Sequence, residues 1–138
     1  MQMVTRESDY AIRALALLGA NGGYVRAARI AKEKDVPFEF LQKILRKLKN
    51  AGFVAVKRGP GGGFALAQSP ADVRLLDILD AVQGPLAVSQ CLLGDFKCRL
   101  KNTCSVRDKL AAVQDSVRKN LAGITLLELL ESSINDTD

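Results

Sequence analysis

The residues with the widest chemical scope are three cysteines, Cys91, Cys98 and Cys104, confined to one stretch and spaced Cys-x6-Cys-x5-Cys. An odd number of cysteines argues against a structural disulfide framework. Three thiolates on one loop can hold three corners of an iron–sulfur cluster and leave the fourth to another ligand. Zinc is the rival metal, but its tetrahedral sites use closer cysteine pairs and a fourth Cys or His. The chain has no histidine at all. Unligated thiols are the plainer reading, and their concentration in one stretch weighs against it. The missing histidine also removes His-based triads and general bases, and a cysteine nucleophile would lack its usual base. Enzymatic function is therefore set aside.

A second set of residues suits recognition rather than bond-making. Residues 26–58 hold ten basic and three acidic side chains, a local net of +7 in a chain whose total is +5. A basic block inside a folded segment points to a polyanionic partner, with a merely solvated basic face as the alternative. Within it lie Glu39, Gln42, Lys43 and Arg46, which face away from an apolar stripe of Leu41, Ile44, Leu45 and Leu48. On base edges, Gln suits adenine, Arg and Lys suit guanine, and Glu suits the cytosine amino group. Of Phe38 and Phe40, one is expected in the core and the other against a thymine methyl group. Lys47 and Lys49 read as phosphate contacts. Arg58-Gly59-Pro60-Gly61-Gly62-Gly63 is a glycine-rich turn whose backbone N–H groups can approach phosphate while Arg58 enters a minor groove. The plainer reading is a turn whose glycines only satisfy backbone angles. It is not a nucleotide-binding phosphate loop, because it lacks the Gly-Lys-Ser/Thr ending and precedes a strand rather than a helix.

The elements that must carry these residues follow from periodicity. A first helix is expected over 6–20, capped by Thr5 and ended by Asn21-Gly22-Gly23. A second spans 26–34, Asp35-Val36-Pro37 breaks the chain, and a third covers 38–50. Strands at 53–57 and 64–67 flank the glycine turn as a hairpin. A fourth helix fits 75–82 and stops at Gly84-Pro85. Residues 85–104 form an irregular cysteine-bearing segment. A long helix over 105–122 places Val106, Leu110, Val113, Val117 and Leu121 on a near-heptad seam suited to packing between subunits. A short helix closes the chain from about 125 to 132. The expected fold is mainly α with a small β-hairpin. It divides into a winged helix-turn-helix domain over 1–84, a sensor loop over 85–104, and a dimerisation helix with a C-terminal helix over 105–138. Helix, short turn, helix and hairpin is the order of a winged helix-turn-helix, whose second helix fits the major groove of double-stranded DNA.

The run Arg58-Gly59-Pro60-Gly61-Gly62-Gly63-Phe64 resembles the wing signature of the Rrf-type transcriptional regulators, the family that includes IscR and NsrR. Ser8-Asp9-Tyr10-Ala11-Ile12-Arg13, Phe40-Leu41 and the cysteine loop also match, over roughly residues 1–130. The resemblance implies a homodimer on a pseudo-palindromic operator, with 105–122 as the dimer helix. In cluster-binding members three loop cysteines are ligands, and Cys91, Cys98 and Cys104 match them. IscR-like members add a histidine just after the third cysteine. Arg107 stands there, so a three-Cys, one-His [2Fe–2S] site is excluded. NsrR-like members take an aspartate from the partner subunit, and Asp9 matches it. The resemblance thus implies a [4Fe–4S] cluster on Cys91, Cys98, Cys104 and Asp9 of the partner subunit. A first-turn acid favoured by the helix dipole remains the other account of Asp9. The first cysteine gap is one residue longer than is common among relatives.

The expected function is a sequence-specific regulator, a repressor, whose cluster responds to nitric oxide, oxygen or iron status. The alternative is the same fold without a cluster, sensing through thiols, a small molecule or a partner protein. A winged-helix protein adaptor is a further class, separated by the absence of salt-dependent DNA binding. No leader-like start and no run near the roughly 18 apolar residues of a membrane span is seen, so a cytoplasmic location is expected.

Overall fold

The computed structural model of the chain describes residues 3–94 and 96–135. It contains six α-helices and one two-stranded antiparallel hairpin among those residues. Helix α1 (Arg6–Asn21) opens where Thr5 Oγ1 accepts the Ser8 N–H at 3.2 Å, with Glu7 and Asp9 in the first turn where negative charge suits the helix dipole. Its buried face is Ala11, Ala14, Leu15, Leu17 and Leu18. It is the central element, packed against four of the other helices and one strand.

Helix α2 (Ala27–Lys34) ends at Asp35, whose φ of 52° is the left-handed conformation that Asp tolerates better than most residues. After Val36 and Pro37, helix α3 (Phe38–Asn50) begins, so a three-residue turn joins the pair. Leu41, Ile44, Leu45 and Leu48 fill its inner stripe and are essentially fully buried. At about 100° per residue, Phe38 and Phe40 fall roughly 70° and 90° to either side of that stripe. Neither enters the core: they are 46% and 56% exposed, contrary to the expectation that one would be buried.

Strands β1 (Val54–Lys57) and β2 (Gly63–Leu66) pair in register Val54 to Leu66 and Lys57 to Gly63. Val25, in the segment between α1 and α2, adds a further bridge: it exchanges two backbone hydrogen bonds of 2.8 Å with Phe64. The hairpin is thereby sewn to the start of the helix-turn-helix. Helix α4 (Leu75–Gln83) buries Leu76, Ile78, Leu79 and Val82.

Helix α5 (Ser105–Ala122) buries none of its residues. Val106 and Val113 on its apolar seam are 62% and 52% exposed. Helix α6 (Leu126–Asn135) returns to the main core: Leu126 is fully buried there, and its N–H donates to Val73 O at 2.8 Å. The C-terminal helix thus shares a core with the N-terminal segment, which the boundary drawn at residue 84 does not anticipate. No helix among the described residues is long and apolar enough to cross a membrane.

Candidate nucleic-acid interface and cysteine segment

Helix α3 presents its polar face outward because the four buried aliphatics fix its rotation. Glu39, Lys43 and Arg46 lie roughly 150–170° from the centre of the buried stripe, directly opposite the core. Gln42 lies on one flank and Phe40 on the other, and all five side chains are exposed. Phe40 borders a hollow shared with Arg6, Glu7, Tyr10, Pro37 and Lys43. Lys47 is placed differently. Its ammonium donates to Glu7 Oε1 at 2.8 Å and to Val82 O at 3.0 Å, so it is engaged within the chain.

The hairpin tip is built from glycines for different reasons. Gly59 and Gly61 have φ of 87° and 71°, and a Cβ at either would meet open space. Gly62 and Gly63 are constrained sterically. A Cβ on Gly62 would strike the Lys57 carbonyl, and one on Gly63 would strike the Val25 carbonyl. Arg26 Nη2 donates to Gly59 O at 2.9 Å, and Lys57 Nζ stands 5.7 Å from the Tyr24 ring centroid. Arg58 is exposed beside this braced turn. Tyr24, Val25 and Arg26 therefore support the tip, a role that sequence reading missed. A lone arginine at a helix start carries no signal that it will bond a carbonyl on the wing.

The cysteines occupy distinct surroundings. Cys91 Sγ is 3.1 Å from the Ser89 hydroxyl, Cys98 is exposed, and Cys104 caps α5 by accepting the Arg107 N–H at 3.4 Å. Asp9, on α1, pairs with Arg13 at 2.8 Å, one turn along its own helix. Soft thiolates and a carboxylate have the donor chemistry of an iron–sulfur site. Among the described residues, however, no group of three Cys, Asp or Glu side chains converges as a metal site. The structure therefore does not bring the predicted ligands together within one chain. The segment is tied to α5 by Gln114, which accepts the Val88 N–H at 3.1 Å, and by Arg118, which donates to Leu86 O at 3.3 Å. Arg118 also forks onto Asp80 of α4 at 2.9 and 3.2 Å. The hydrogen bonds that Arg118 donates to Asp80 raise the Arg118 pKa above its ordinary value.

Residues 4–132 match the family described as "Rrf2: Iron-dependent Transcriptional regulator". The chain belongs to the Rrf2 family. A putative HTH-type transcriptional regulator of Aquifex aeolicus is 32% identical to this Rrf2 chain, with 88% of this chain and 86% of that protein covered. Two solved structures share the winged-helix fold. IscR of T. potens superimposes with a TM-score of 0.79 at 24% identity, covering 99% of this chain and 92% of that one. CymR, the global cysteine regulator of B. subtilis, gives 0.78 at 24% identity, covering 96% and 98%. The fold expected from the sequence, mainly helical with a winged helix-turn-helix, is the fold of this Rrf2 chain.

Proposed function

We propose that this chain binds double-stranded DNA sequence-specifically as a homodimeric transcriptional repressor in the cytoplasm, and that its cysteine segment receives the controlling signal. The observation that carries the reading is the exposed polar face of α3, set opposite the core. Glu39, Gln42, Lys43 and Arg46 are the base readers, with Phe40 against a thymine methyl. Arg58 enters the adjacent minor groove, and the exposed backbone at Gly59 and Gly61 lies along the phosphates, whereas Gly62 is buried with its N–H on Gly59 O at 3.0 Å. Exposed α5 seams pair across the twofold axis and set two such heads on a pseudo-palindromic operator. Binding weakens steeply as salt rises, because each neutralised phosphate releases counterions. Arg46→Ala weakens a specific duplex by about 1–3 kcal/mol and a scrambled duplex much less. Arg58→Ala weakens operator binding as well. Unchanged affinity for both variants, measured by fluorescence anisotropy, overturns the assignment.

For the signal, the first reading is a [4Fe–4S] cluster held by Cys91, Cys98, Cys104 and Asp9 of the partner subunit. When bound, it supplies chemistry that responds to nitric oxide, oxygen or iron status. The chain's own part is to release Asp9 from Arg13 and the Cys104 thiol from the α5 terminus. The second reading is cluster-free sensing, through the thiols, a small molecule or a partner protein. It requires no rearrangement of Cys91, Cys98 and Cys104, which do not converge as a metal site among the described residues. Anaerobic purification with iron and acid-labile sulfide counts separates the two. Iron and sulfide that fall away in Cys98→Ser support the cluster. Iron-free protein with no visible absorbance supports the second reading.

A further inference from the structure

The last turn of α4 ties three parts of the molecule together within four residues. The Asp80 carboxylate takes Arg118 of α5 and also accepts the Leu86 N–H at 3.2 Å. The Val82 carbonyl, one of the last four in α4 without an intrahelical donor, accepts Lys47 of α3. Gln83 Oε1 accepts from Thr5 N, Thr5 Oγ1 and Ser8 Oγ at 3.1, 3.3 and 2.6 Å, and Gln83 Nε2 donates to Met3 O at 2.9 Å. Lys47 closes the arrangement by pairing also with Glu7 of α1.

Sequence alone assigns Lys47, with Lys49, to phosphate. The geometry points elsewhere. Two of the three ammonium N–H groups already have acceptors, and those acceptors belong to two different helices. Lys47 also lies on the flank of α3 toward α1, not on the outward arc of Glu39, Lys43 and Arg46. Its side chain and that of Glu7 are 44% and 38% exposed, so the pair adds little to global stability. It does constrain how α3 is rotated and shifted against α1 and α4. We infer that Lys47 is a positioning residue: it sets the pose of the recognition helix from the last turn of α4, whose own seat is held by Arg118 of α5. The inference rests on the DNA-binding reading above. It gives α5 and the cysteine segment a link to the base-reading face that runs through Arg118, Asp80, Val82 and Lys47.

Glu7→Gln and Lys47→Met test it by opposite signs. Binding is measured across salt on a duplex enriched by the wild-type protein from a random-sequence pool, and on a scrambled duplex. A phosphate contact would be freed by Glu7→Gln, which also removes a negative charge, so both duplexes would bind more tightly. Lys47→Met would then weaken both and lower the salt slope by about one unit. A positioning residue gives a different pattern. Both variants weaken the selected duplex, by about tenfold for Lys47→Met, and leave the scrambled duplex little changed. The salt slope on the selected duplex stays near that of the wild type. Thermal melting confirms that each variant is folded at the assay temperature, and simple destabilisation would not alter the ratio between the duplexes. If Lys47→Met does not fold, Glu7→Gln carries the test, because it leaves the Val82 bond in place. Tighter or unchanged binding of the selected duplex by Glu7→Gln overturns the inference. Failure of the wild-type protein to bind either duplex overturns the DNA reading itself.

Discussion

Gly63 and Gly59 stand four residues apart in the same turn and are required for different physical reasons. Both have positive φ, 136° and 87°. Any L side chain at Gly59 meets only conformational strain, since the space around it is open, and Gly59→Ala costs about 1–2 kcal/mol. At Gly63 the new Cβ would collide with the Val25 carbonyl, so the two backbone hydrogen bonds between Val25 and Phe64 must break or the hairpin must move. Gly63→Ala is therefore expected to lower both the melting temperature and operator affinity more than Gly59→Ala. Thermal melts and anisotropy titrations of the two variants check the order. The sequence makes the glycine turn legible because glycine and proline cluster there. It does not reveal the steric constraint at Gly63, because the colliding Val25 carbonyl belongs to a residue far away along the chain.

At the scale of elements, α3 and α5 were legible to the residue: 38–50 and 105–122 are the observed helices. Their apolar spacing states the period, while Pro37, Asn50-Ala51-Gly52 and Gly123 state the stopping points. The fate of Phe38 and Phe40 was misjudged from residue type, although the helical angle, readable from the sequence, places them at the margins of a stripe already filled by four aliphatics. The bracing of the wing by Val25 was missed for a similar reason: a single bridging residue has no periodicity to read. Helix α5 carries the element-scale prediction. A seam with Val106 and Val113 largely exposed in one chain is the surface that the proposed dimer would cover. Val113→Glu places a charge in that seam, and burying it unpaired in a dimer would be costly. Analytical ultracentrifugation should show the wild-type chain at twice its 14.9 kDa mass and the variant shifted toward the monomer. A variant dimer as tight as the wild type would remove α5 from the interface.

At the scale of the molecule, charge and connectivity divide the labour. The local net of +7 over residues 26–58 leaves −2 for the rest of the chain, so attraction to a polyanion is concentrated on the helix-turn-helix and wing. The cysteine segment leaves this head through α4 and rejoins it through α5, and α6 then locks into the main core. The composition and motif spacing disclosed the head and the existence of the segment. They did not disclose the arrangement of the thiols, because ligand convergence depends on a loop path with no periodic pattern. Enrichment of duplexes from a random-sequence pool, followed by sequencing, tests the central claim most directly. The account predicts a twofold-symmetric motif with half-sites about one helical turn, roughly 10 base pairs, apart, whose binding weakens steeply with salt. No enriched motif, or one bound without salt dependence, would contradict it.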